Sequence, residues 1–239
     1  MRLRFPFIWS RRKEKHPVLV RNERFFSAFD LSQPVDTYDF VVFDTELTGL
    51  KPRRDEIVSI AGVRVRDLQI IVHDCFHSYV RPKIEQHTTG TFVHHITPEE
   101  LRNAPDLSSV LEEFVDFCGT SVMVGHHVYI DTSFLWKAMR RTMGSVMHNP
   151  MIDSMQLAVH HRSYRKAARE YPAIADCSYN LAALSRAYRL PIFPQHDALQ
   201  DALQTAYLFI FLVANLRDEV ELNTLHQFLR VGQPSHSWL

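Results

Sequence analysis

Three groups of side chains in this 239-residue chain carry charge at spacings that chemistry can use. The first is Asp44-Thr45-Glu46. Side chains two apart on a strand leave the same face, so there the two carboxylates project together. Like charges so placed repel unless a cation sits between them, and an all-oxygen pair suits Mg2+ or Mn2+. Taken alone, such a pair also fits a solvent-facing strand end. The following Leu47-Thr48-Gly49-Leu50 is apolar where a plain turn would be polar. The second group is Asp131, where the VGHHVYID segment passes from strand to helix. Ligands of open α/β sheets bind in the crevice beyond the carboxyl ends of the strands, although Asp also serves there as an N-cap. The third is His196-Asp197-Ala198-Leu199-Gln200-Asp201. Helical positions five apart diverge by about 140°, so His196 and Asp201 converge only if His196 lies in the loop before a helix. Pro191 and Pro194 precede it, and Asp197 with Gln200 resembles a capping box. Asp197 then reads as the cap and Asp201, one turn in, as the ligand.

The elements that must hold these groups are legible in the pattern. Residues 39–44, 56–65 and 70–80 read as strands, apolar and β-branched. Arg66-Asp67-Leu68-Gln69 suits a hairpin without an Asn-Gly signal. Thr97-Pro98-Glu99-Glu100 is a helix start with cap, proline and Glu in place. Apolar spacing from Leu107 to Phe117 marks an amphipathic helix. A strand over 121–125, a helix around Phe134 to Met139, a short strand at Met151-Ile152 and three further helices follow. Three strands and then alternating strands and helices predict a layered α/β domain with a mixed sheet. Its expected bounds are 36–215, after an irregular basic leader (1–35) and before a C-terminal helix and tail (216–239). Tyr207 and Phe211, one turn apart, are expected in the core.

Composition narrows the class without naming it. Net charge is zero, but residues 1–35 hold eight Lys/Arg against three Asp/Glu. That +5 leaves −5 for the rest, so the leader can touch phosphates or lie solvated. No stretch approaches the ~18 uncharged apolar residues of a membrane helix. The three cysteines have no C-x-x-C spacing, which suits reduced thiols and a cytoplasmic location. The histidine pairs 94–95 and 160–161 point apart on any regular element, and no set has zinc-finger spacing.

In order and placement, D-x-E, then Asp131, then His-x4-Asp resembles the DEDDh exonucleases, the DnaQ-like family. FDTELTGL (43–50), VGHHVYIDTSFL (124–135) and HDALQDALQTAYLF (196–209) are similar to its three motifs, with VHHIT (93–97) and IDSMQLA (152–158) as lesser matches. The wording is closest to the epsilon-subunit type of DNA polymerase III. The resemblance implies a ribonuclease H-like fold, a five-stranded mixed sheet flanked by helices. It implies a metal-dependent 3′–5′ exonuclease that releases nucleoside 5′-monophosphates from nucleic acid, with DNA expected. Asp44, Glu46, Asp131 and Asp201 would hold two Mg2+ or Mn2+ ions ~4 Å apart, and His196 would take the proton of the attacking water. Thr45, Leu47, Thr48, Val93, His94, His126, His127 and Ile130 would cradle the terminal nucleotide.

The chain departs from the family at His127, where Asn is usual, at Ile130, where Phe is usual, and at Leu47, where Thr is common. Ile130 offers no π face for a base. A nucleic-acid-binding or scaffolding module with a degenerate site is the alternative, although all five catalytic positions are intact. The expected partner is a nucleic-acid 3′ end, single-stranded DNA foremost, with no membrane. Residues 231–239 are short for a linker plus docking element. Gln233 with Trp238-Leu239 is similar to short clamp-docking peptides, but an enzyme working without a bound polymerase or sliding clamp is expected.

Overall fold

A run of β-branched and aromatic residues around position 42 builds the strand on which everything else is hung. The computed structural model describes residues 13–83, 96–167 and 178–234. Strands β1 (Phe40–Leu47), β2 (Ile57–Arg66), β3 (Gln69–Tyr79), β4 (Val122–Gly125) and β5 (Met151–Asp153) form one sheet in the order β3-β2-β1-β4-β5. The β3-β2-β1 meander is antiparallel, while β4 and β5 run parallel to β1. The mixed sheet expected from the pattern is therefore present, with β1 central. The β2–β3 hairpin closes through Asp67 and Leu68, both at positive φ (48° and 56°). Two positive φ values mark a primed turn, whose twist matches the strands; here it forms without the usual glycine.

Eight α-helices among the described residues cover both faces: α1 (Pro17–Phe26), α2 (Pro98–Asn103), α3 (Leu107–Cys118), α4 (Tyr129–Met143), α5 (Ser154–Ala167), α6 (Leu181–Ala187), α7 (Ala198–Val220) and α8 (Leu225–Val231). Strand alternation divides the core. Val41 and Phe43 join Leu19, Leu111, Phe114, Leu135 and Met139 on one side. Phe40 and Val42 join Leu157, Leu184, Phe209, Leu212 and Phe228 on the other. Helix α2 starts with the full capping box read from Thr97 and Glu100.

The reading of residues 1–35 as an irregular leader is corrected for its described part. Pro17 opens α1, and Val18 and Leu19 are buried in the core. Asn22 then ties the helix down, donating to Asn149 Oδ1 at 2.6 Å and accepting from His148 N at 2.7 Å. Basic residues mask this helix in the sequence because its apolar stripe is narrow. Gly144 (φ 75°) ends α4 beneath the same segment, and a Cβ there would lie 2.4 Å from the Glu14 carbonyl oxygen. The bound at 215 also moves: α7 continues to Val220, and Leu225 and Phe228 of α8 are fully buried. Asp153 N donates to Gly232 O at 2.7 Å, so the segment after α8 flanks β5.

By length and composition helix α7 is apolar enough to cross a membrane, although Asp201 and Arg217 bound its uncharged run short of the ~18 residues of such a span. Half of that window is buried within this fold: the helix lies across β1 and β2, and Phe209 meets Phe40 at 4.9 Å between ring centroids. A core helix that covers a sheet needs the same apolar residues as a membrane span. On this helix Phe211 packs on Tyr188 as expected. Tyr207 does not enter the core; it is 37% exposed and stacks on Phe193.

Candidate active site

The carboxylates converge because three chain segments end at one place. β1 delivers Asp44 and Glu46, and the first turn of α7 delivers Asp201. One carboxylate oxygen from each lies within 4.8 Å of the others. Glu46 is only 9% exposed and Asp131 6%. Burial pushes the Glu46 carboxyl up to about 8, reinforced by Asp201, Asp131 and Asp197. Burial also raises Asp44 well above the ordinary range, followed by the charges of Asp131, Asp201 and Glu46. Asp201 is raised by burial against the opposing backbone bond from His196. Such a cluster is costly as bare anions, and an oxygen-only donor set of this kind fits a hard divalent cation.

Asp131, expected as a metal ligand, arrives from α4 and is not the N-cap that its residue type also allows. The cap position is Val128, and Asp131 sits in the first turn with its Oδ1 accepting from Thr45 N at 3.1 Å and Thr45 Oγ1 at 2.5 Å. It therefore bonds β1 at the residue between Asp44 and Glu46. Burial raises its pKa, and the Thr45 bonds pull the other way.

His196 lies in the loop before α7, as the spacing required. Asp197 caps the helix by accepting from Gln200 N at 3.0 Å. His196 itself is left-handed (φ 67°) and donates its backbone N–H to Asp201 Oδ2 at 2.9 Å. Its exposed ring lines a cavity of about 270 Å³ together with Glu46, Ser59, His77, Tyr79 and Gln200.

The expected cradle is only partly available. Thr45 spends its N–H and hydroxyl on Asp131. Thr48 donates N–H to Glu56 O and accepts from Glu56 N, both at 2.9 Å, closing the base of the β1–β2 loop. The His126 ring bonds Ser154 Oγ and Tyr179 O, each at 2.9 Å, and burial lowers its pKa to about 3. It braces the turn instead of facing outward. Leu47, His127 and Ile130 are partly exposed at the site. Val93 and His94 lie outside the described residues.

Asp153 ends β5, within the IDSMQLA segment. It is 1% exposed, and its Oδ1 accepts from Met155 N at 2.9 Å and His127 N at 3.1 Å. It thus fixes the left-handed His127 (φ 54°) that aims α4 and Asp131 at β1. Burial pushes it up to about 6. An Asp-Ser pair after a short apolar strand was the available signal.

Carboxylates crowded on the central strand of this sheet, met by one from a crossing helix, sit on a ribonuclease H-like fold. The chain belongs to the exonuclease family of the RNase T type, which matches residues 41–209. It is 31% identical over 224 residues to the PolC-type DNA polymerase III of Thermotoga petrophila, covering 88% of this chain and 15% of that protein. With the Thermotoga maritima counterpart the identity is 33% over 178 residues, 74% of this chain and 12% of that one. The chain thus spans less than a fifth of these relatives' length. Among solved structures it resembles exonuclease X in complex with 5′-overhanging duplex DNA (TM-score 0.58, 24% identity, covering 81% of this chain and 99% of that one). E. coli exonuclease I in complex with a dT13 oligonucleotide is similar in fold (TM-score 0.60, 16% identity, covering 77% and 42%).

Proposed function

We propose that this protein is a metal-dependent 3′–5′ exonuclease acting on DNA and releasing nucleoside 5′-monophosphates. The observation that carries it is the meeting of Asp44, Glu46 and Asp201 oxygens within 4.8 Å in a desolvated pocket. The names of the relatives, DNA polymerases and DNA-bound exonucleases, support DNA as substrate.

Asp44, Glu46, Asp201 and Asp131 would hold the cations. When bound, divalent ions would make water a nucleophile near neutral pH and stabilise the leaving oxygen. His196, which lines one cavity with Glu46, takes the proton of the attacking water. The water oxygen joins phosphorus, the bond to the 3′ oxygen of the penultimate nucleotide breaks, and that oxygen leaves with a proton from solvent. Thr45 favours the ionised form of Asp131 against its burial and turns it toward β1, and Asp153 holds α4 in place behind it.

The test uses metal-stripped protein, 5′-labelled oligodeoxynucleotide and added Mg2+ or Mn2+. A ladder shortening from the 3′ end with 5′-monophosphate release is expected. Asp44→Ala should be inert, and His196→Ala slowed in kcat by about 10²–10⁴-fold. Substantial activity in Asp44→Ala, or shortening from the 5′ end, overturns the reading. The site would serve this reaction in the cytoplasm and without a bound polymerase or clamp. Activity of the purified chain alone tests that last point.

A further inference from the structure

Although net charge is zero, exposed cations gather beside the carboxylate cluster. The loop leaving β1, 48–56, carries Lys51, Arg53 and Arg54, all exposed. Helix α4, which begins at the site, carries exposed Lys137, Arg140 and Arg141. These last three stand at i, i+3 and i+4 and share one face of the helix. Loop and helix are one surface: Lys137 Nζ donates to Pro52 O, and Lys137 and Arg141 line a cleft with Asp55 and Glu56. The two carboxylates there accept backbone N–H groups, Asp55 from Lys51 and Glu56 from Lys83. Among the described residues, the six cations make none of the ion pairs found elsewhere, at Arg64, Arg66 and Arg217.

Position supplies the second argument. Lys51 follows Glu46 by a short stretch of the same strand and loop, and the face of α4 that holds Lys137 and Arg141 also holds Ile130 at the site. A helix rises about 1.5 Å per residue, so Lys137 lies about 9 Å and Arg141 about 15 Å along α4 from Asp131. At about 3.4 Å of rise per nucleotide in a strand, that is the reach of about four phosphates. Unpaired surface cations set in a line cost little alone, but opposite a polyanion each releases a counterion.

We infer that the β1–β2 loop and the outer face of α4 form a track for the phosphates of the digested strand, 5′-ward of the terminal nucleotide. This rests on the proposed exonuclease reading and extends it: the enzyme grips a polynucleotide of several residues, and the terminal nucleotide alone does not engage the track.

The experiment compares wild type with the variant Arg53→Gln/Arg54→Gln/Arg140→Gln/Arg141→Gln. The substrates are the p-nitrophenyl ester of thymidine 5′-monophosphate and single-stranded oligodeoxynucleotides of two to twelve residues. Hydrolysis of the mononucleotide ester should be unchanged, which also reports that the variant is folded and its site intact. KM for the twelve-residue strand should rise at least tenfold, with little change for the dinucleotide. The slope of log binding against log salt, measured by anisotropy without catalytic metal, should fall by about 2–3, at about 0.7 per lost phosphate contact. Unchanged KM and salt slope on long strands would overturn the track and leave an acidic protein as the partner of this surface. An equal rise in KM for the dinucleotide and the twelve-residue strand would overturn its assignment to phosphates 5′-ward of the terminal nucleotide. Absence of ester hydrolysis in wild type would strike the exonuclease reading itself, whereas the anisotropy still reads the track.

Discussion

Replacing Glu46 with Gln should stabilise the metal-free protein while destroying its activity. Glu46 is 9% exposed and its oxygen lies within 4.8 Å of oxygens from Asp44 and Asp201. At an effective dielectric of about 20, two full charges at that distance repel by about 3.5 kcal/mol. The rise of its carboxyl from 4.5 to about 8, caused first by burial and then by the neighbouring carboxylates, corresponds to at most about 5 kcal/mol, of which the repulsion is a part. In the folded protein this carboxyl keeps its proton until about pH 8, while in the unfolded chain it loses it near 4.5. The unfolded state therefore binds fewer protons between those values, and stability falls as pH rises through that window. Gln has no proton to lose, so its advantage is small near pH 4.5, grows to pH 8 and is constant above. Allowing half the electrostatic cost to relax, a gain of about 2–3 kcal/mol raises Tm by roughly 5–10 °C in a chain this size. Thermal melts in EDTA at pH 5 and pH 9 read the effect directly. Adding Mn2+ at pH 9 should raise wild-type Tm and close the gap. A variant that melts no higher than wild type in EDTA at pH 9, or a gap equally large at pH 5, would refute the repulsion argument.

Thr45→Val removes the 2.5 Å bond that lowers the Asp131 pKa. A hydrogen bond to a charge is worth about 1.5–3 kcal/mol, so kcat at pH 7 should drop by about tenfold or more, with the acid limb of the pH–rate profile moved upward. His127 is held below its ordinary pKa by burial and so is neutral at neutral pH; His127→Asn should keep activity and leave KM unchanged above about pH 6.5, as KM measured from pH 5 to 8 would show. Leu19→Ala should cost about 2–5 kcal/mol in chemical denaturation yet leave activity per folded molecule intact, because α1 packs against α3 far from the carboxylates. Equal stability of that variant would mean that α1 is not part of the cooperative unit.

Much of this protein is local and therefore readable. Alternating β-branched residues ending in Asp-Thr-Glu place two carboxylates on one side of a strand, because side-chain direction follows from period two alone. The prolines and Asp197 put His196 before a helix and Asp201 within it, because capping is a contact between near neighbours. The family motifs then tied Asp131 to them. What the sequence could not contain was every contact made across the sheet. That Asp131 bonds Thr45, that Asp153 holds the His127 turn, and that His126 is braced by Ser154 and Tyr179 depend on β4 and β5 lying parallel to β1. The same holds for α1, whose Val18 and Leu19 are too few to signal a helix among basic residues and become core only when α3 and α4 provide the other wall. The exposed cations show the division most plainly: Lys51, Arg53 and Arg54 lie far along the chain from Arg140 and Arg141. Only the close approach of loop and helix makes one surface of them, since electrostatic fields add by distance in space and not along the chain.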